Sequence, residues 1–67
     1  KMKWIPVSER LPETSGDYLV TTVNGCIKLL EFSAKYSTFN ASDLQKYPKY
    51  AIAVKAWMPL PEPYKVN

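Results

Sequence analysis

The chain has 67 residues, enough for one domain and too few for two separate hydrophobic cores. Hydrophobic residues make up 46% of it, which excludes a disordered chain, and a net charge of +3 is too small to indicate a nucleic-acid partner by itself. A single cysteine excludes an internal disulfide, and no apolar run reaches the ~20 residues that span a bilayer. We therefore expect one soluble domain over residues 1–67 in a reducing cytoplasm, with Met2 as the natural start.

The first predicted element is a β-hairpin over residues 17–32. The residues on both sides of Asn24 and Gly25 are rich in β-branched, aromatic and aliphatic side chains. Asn-Gly tolerates the positive φ angles of a type I′ turn, so a two-residue loop would place Val23 opposite Cys26. Both faces of this hairpin carry apolar residues, and we expect other parts of the chain to cover each face.

A further strand is predicted at residues 51–58, where Pro59 ends the pairing because proline has no N–H. Residues 35–39 are predicted to form a short strand or an irregular return. Residues 40–47 could form one helical turn, which Pro48 would end. The pattern predicts a mostly β fold, with a small α+β fold as the alternative. We expect a compact antiparallel β-meander of three to four strands, with at most one short helix.

Both ends of the chain carry a tryptophan followed by prolines. Trp4 precedes Pro6 near the start, and Trp57 precedes Pro59 and Pro61 near the end. We expect both tryptophans to be mostly buried anchors and the prolines to lay the chain along an apolar sheet face. The alternative is that the C-terminal prolines are a ligand for a proline-reading domain. Their spacing of two residues does not give the PxxP pattern that such domains bind.

The composition predicts that the protein is not an enzyme. Histidine is absent, which removes the usual general base near neutral pH and the histidine metal ligands. The chain has only two glycines and no glycine-rich phosphate-binding loop. No sequence feature predicts a reactive Cys26, and Glu9, Glu13 and Asp17 are interpreted as solvated charges. We expect no catalytic residue, no metal site and no cofactor.

A lysine directly precedes a tyrosine three times in the second half of the chain. Aromatic rings stack on bases and lysines contact phosphates, so this pattern is typical of a surface that binds single-stranded nucleic acid. Tyrosine is also enriched in protein-binding hot spots. The candidate binding surface comprises Lys35, Tyr36, Phe39, Lys46, Tyr47, Lys49 and Tyr50.

Two segments at the ends of the chain resemble a known family. Residues 4–12, WIPVSERLP, and residues 56–63, AWMPLPEP, with the strand at residues 16–20 between them, are similar to the family called domain of unknown function 551. Such domains occur largely in phage and prophage genomes. The resemblance implies a compact, mostly β module of phage origin that acts inside a bacterial cell. The family carries no assigned activity, so it supplies no functional residue.

Three functions are open on the sequence alone. The first is a protein-binding module that docks on a host or phage protein, such as a host enzyme or defence complex, with counter-defence (anti-CRISPR activity, for example) as one version. The second is a nucleic-acid-binding module that uses the lysines and tyrosines of residues 35–50. The third is a structural or accessory module whose copies associate through the sheet. None of the three involves a membrane.

Overall fold

A computed structural model describes residues 3–40 and 53–66, and these form a single antiparallel sheet of five strands. The strands are β1 Ile5–Pro6, β2 Gly16–Thr22, β3 Ile27–Ser33, β4 Thr38–Phe39 and β5 Val54–Pro59. Their order across the sheet is β1-β5-β2-β3-β4. The mostly β fold class is confirmed. The predicted helical turn falls mainly on residues outside the described ranges.

The sheet combines a local meander with two strands from the ends of the chain. Strands β2, β3 and β4 follow one another, whereas β5 lies between β2 and β1. Residues 3–40 and 53–66 include no helix with the length and hydropathy of a membrane span.

The turn of the hairpin is one residue longer than the sequence predicts. The Thr22 N–H donates to the Cys26 carbonyl at 2.8 Å, and the Gly25 N–H donates to the Thr22 carbonyl at 2.9 Å. The loop therefore has three residues, and Gly25 has a φ of 84° while Asn24 has a negative φ. This is the type I turn followed by a left-handed residue that closes three-residue hairpins. The predicted pairing of Val23 with Cys26 is wrong.

The longer turn shifts the register of β3 against β2. Val20 lies opposite Lys28 and Tyr18 lies opposite Leu30, where a two-residue loop would have placed Val20 opposite Leu29. Side chains alternate between the two faces of a strand, so a shift of one residue exchanges the faces of β3 relative to β2. Leu30 and Phe32 thereby join the face of Val20.

The core lies on this face of the sheet. Its buried side chains are those of Val20, Leu30, Phe32, Phe39 and Trp57. The ring of Tyr18 packs edge-on against Phe32, Phe39 and Trp57, with the Trp57 ring centroid 5.3 Å away. Trp57 is 3% exposed and lies opposite Val20 on β2 and Ile5 on β1, so the last strand contributes the largest side chain of the core.

The opposite face of the sheet is only partly covered. Ile27 and Leu29 on β3 are exposed, whereas Met58 on β5 is buried. The expectation that both faces would be covered is therefore wrong for the β3 side of this face. The register shift is the physical reason, since it moves Leu29 from the face of Val20 to the face of Leu19.

The prolines after β5 are exposed and do not cover a face of the sheet. Pro59 is the last residue of β5 and lies opposite Tyr18, but residues 60–66 are all exposed. The expectation that the C-terminal prolines lay the tail along an apolar face is wrong beyond Pro59. Trp4, expected to be a buried anchor, is 38% exposed. Ile5 takes the position opposite Trp57, and since side chains alternate along a strand, its neighbour Trp4 is turned away from that position.

Candidate functional site

The two ends of the chain meet in a groove of about 750 Å³ beside β1 and the end of β5. The apolar residues that line it are Trp4, Ile5, Pro6, Pro59, Leu60 and Pro61. Antiparallel pairing of β1 with β5 brings them together, since Ile5 lies opposite Trp57 and the two strands run in opposite directions. The sheet thus places the proline motifs of both ends side by side.

Pro6 leaves no free backbone group on the outer edge of β1 for pairing with another strand. The Val7 N–H donates to the Lys55 carbonyl at 3.0 Å, and because the groups of successive residues alternate, the backbone of Pro6 is directed away from β5. Proline has no N–H, and the Pro6 carbonyl accepts the N–H groups of Glu9 at 2.9 Å and Arg10 at 3.3 Å. An occupant of the groove therefore cannot add to the sheet at this residue.

Arg10 is held in the groove by Trp57. The Trp57 indole N–H donates to the Arg10 carbonyl at 2.9 Å, and the Arg10 guanidinium carbon lies 5.3 Å from the centre of the indole ring. A guanidinium stacked on an aromatic ring keeps N–H donors at its edge, where they can form paired hydrogen bonds with a carboxylate. Arg10 is thus oriented by the core while its charged group remains at the surface.

The charged residues of the groove are Lys3, Glu9 and Arg10, which leave it positive by one charge. In the described part of the chain the one ion pair joins Lys65 to Glu62, so neither Lys3 nor Arg10 pairs there with a carboxylate. The groove combines an apolar, proline-lined surface with two basic groups. This chemistry suits an extended apolar segment that carries a carboxylate.

The lysine–tyrosine surface predicted from the sequence is only partly described. Lys35 and Tyr36 are exposed, and the Lys35 ammonium lies 5.4 Å from the centre of the Tyr36 ring. Phe39, assigned to the same surface, is instead buried against Phe32 with the ring centroids 4.9 Å apart, so its assignment is wrong. The remaining members, Lys46, Tyr47, Lys49 and Tyr50, lie outside the described residues.

Groups with catalytic or metal-binding potential are few in residues 3–40 and 53–66. No three cysteine or carboxylate side chains come together there in a group that could hold a metal ion. Cys26 is an exposed free thiol beside the hairpin turn. The groove is a concave feature that both chain ends line, and sequence reasoning missed it. The signal for it was the tryptophan–proline pattern at both ends, which was interpreted as two anchors.

The family profile described as "Protein of unknown function (DUF551)" matches residues 3–65. The chain belongs to this family. The match covers all five strands and every residue of the groove. No curated protein and no solved structure matches this DUF551 chain.

Proposed function

We propose that this DUF551 chain is a small, non-enzymatic protein-binding module of phage type that acts in the cytoplasm of a bacterial cell. Its partner is a host or phage protein, such as a host enzyme or defence complex, and counter-defence is one version of this role. The groove between the two chain ends receives an extended segment of that partner.

The observation that supports this proposal most directly is the exposed Trp4. Tryptophan and arginine are the residues that dominate protein-binding hot spots, and Trp4 lines the same groove as Arg10. Trp4 is 38% exposed, although the burial of a tryptophan ring would benefit a domain of this size. Aromatic and proline side chains also line the grooves of domains that bind extended peptides.

Replacing Trp4 with alanine is expected to weaken partner binding without unfolding the domain. Loss of a tryptophan hot spot weakens binding by ~2 kcal/mol or more, which corresponds to roughly 30-fold in Kd. A partner captured from host lysate, then purified and titrated calorimetrically against wild type and Trp4→Ala, measures this difference. Circular dichroism melting checks that the variant is folded.

Leu29→Ala is the matched control, since Leu29 is 58% exposed and lies on β3, away from the groove. It should bind the partner as wild type does. If Trp4→Ala binds normally and Leu29→Ala does not, the partner binds the open face of the sheet and the proposed site is wrong.

Nucleic-acid binding is the second candidate function, favoured by the exposed Lys35 and Tyr36. Binding of short single- or double-stranded probes should be detectable by gel retardation at low salt and should weaken steeply as salt rises, because phosphate contacts release counterions. The double variant Lys35→Glu/Tyr36→Ala should lose it. Lys55→Glu, a change of the same charge at an exposed residue of β5, should weaken binding less. Unretarded probes at low salt would rule this function out.

A further inference from the structure

The C-terminal residues 61–66, which we call the arm, are all exposed. Tyr64 is 89% exposed and Val66 nearly as much, so two large apolar side chains lie in solvent. In the arm, Glu62 stands between Pro61 and Pro63. The arm therefore offers apolar side chains and one carboxylate, with Lys65 three residues after it, and its two prolines favour an extended backbone.

The arm and the groove have complementary chemistry. The groove offers apolar residues and, beside Glu9, the basic groups of Lys3 and Arg10. The arm offers apolar residues and the carboxylate of Glu62, which precedes Lys65 by three residues. We propose that the arm of one copy of this chain binds the groove of a second copy, with Glu62 on Arg10 and Tyr64 against Trp4. This inference rests on the proposed function, because it names an occupant of the same groove.

Two prolines stiffen the first half of the arm. Pro61 lines the groove, so the arm begins at the edge of its own groove. Leu60 and Glu62 each precede a proline, which holds both in extended conformations, and the prolines fix their own φ near −65°. Residues 62–66 are exposed and do not line the groove of their own chain, so they are available to a second copy.

The contacts that the arm makes within its own chain are weak. Glu62 pairs with Lys65 at 4.0 Å, and both side chains are more than four-fifths exposed. Such a surface pair contributes little to stability, so Glu62 can exchange it for the stacked guanidinium of Arg10. Because arm and groove are adjacent on each copy, two copies can exchange arms reciprocally and form a closed two-fold dimer.

Charge reversal at Glu62 and at Arg10 tests the inference. Analytical ultracentrifugation over a concentration series measures the dimer dissociation constant of each variant. The wild type is expected to dimerise reversibly. Glu62→Arg, which changes only an exposed residue of the arm, and Arg10→Glu should each weaken dimerisation roughly tenfold or more. Glu13→Arg, a reversal of the same sign at an exposed residue outside the groove, should leave dimerisation unchanged.

Two combinations restore opposite charges across the contact. The double variant Arg10→Glu/Glu62→Arg should dimerise again. A mixture of the two single variants should form a heterodimer that is more stable than the homodimer of either variant. A chain that ends at residue 61 keeps every residue of the groove and should be monomeric, which tests the role of the arm without altering Arg10.

A wild type that stays monomeric, or a dimer that Glu62→Arg and removal of the arm leave intact, would overturn the inference. A dimer that is sensitive only to Leu29→Ala would instead place the contact on the open sheet face. A monomeric wild type that still captures a partner through Trp4 would overturn this inference and leave the proposed function standing. A dimer that Glu62→Arg dissolves, without Trp4-dependent capture of another protein, would support binding of the arm in the groove. It would overturn the proposed capture of a host or phage protein.

Discussion

Trp57→Ala is expected to unfold the domain. Trp57 is 3% exposed, packs against Tyr18 and donates its indole N–H to the Arg10 carbonyl. Truncation of a buried tryptophan to alanine costs about 3–5 kcal/mol, because apolar surface is lost and a cavity remains. A core in a chain of this length supplies only ~3–5 kcal/mol in all. Far-ultraviolet circular dichroism and proton NMR dispersion of the purified variant would show the loss of folded structure.

Trp4→Ala is the control for this result, since it makes the same chemical change at a tryptophan that is 38% exposed. We expect it to keep a cooperative melting transition. Trp57→Phe removes the indole hydrogen bond and part of the ring but keeps an aromatic side chain, and it should lower the free energy of unfolding by about 1–3 kcal/mol. A Trp57→Ala chain that melts like the wild type would show that the core does not depend on the last strand.

The strands were predictable because their signals are local. Alternation of β-branched and aromatic residues predicts β2 and β3, and Pro59 correctly marks the end of β5. The hairpin turn was less predictable, since a glycine after asparagine fits a two-residue loop and also a three-residue loop in which glycine alone takes the left-handed conformation. The choice depends on burial across the sheet. The three-residue loop puts Leu30 and Phe32 beside Val20, and all three are buried.

The groove could not be predicted from the sequence, because it depends on the order of strands. Only the insertion of β5 between β1 and β2 brings Pro6 near Pro59 and Pro61. The two tryptophan motifs looked equivalent in the sequence, but the strand register separates them. Ile5 lies opposite Trp57, so Trp4 belongs to the groove instead of the core. Composition indicated which residue types bind partners, and topology determined which of them share a surface.

Phe32→Ala is expected to destabilise the domain by about 3–5 kcal/mol. Phe32 is 1% exposed and packs edge-on against Tyr18 and Phe39, so its removal opens a cavity at the centre of the aromatic cluster. Urea unfolding, with an osmolyte added to both proteins to keep the variant folded, measures the difference. Leu29→Ala, on the same strand, should change stability by less than ~0.5 kcal/mol because Leu29 is 58% exposed.

This pair of variants also decides the register of the hairpin. With a two-residue loop, Leu29 would lie opposite Val20 in the core and Phe32 would be on the other face, so their effects on stability would be reversed. With the three-residue loop that Gly25 closes, Phe32 carries the large effect. A greater loss of stability from Leu29→Ala than from Phe32→Ala would therefore contradict the packing of the whole core. Equal, small losses would show that the aromatic cluster does not hold the sheet together.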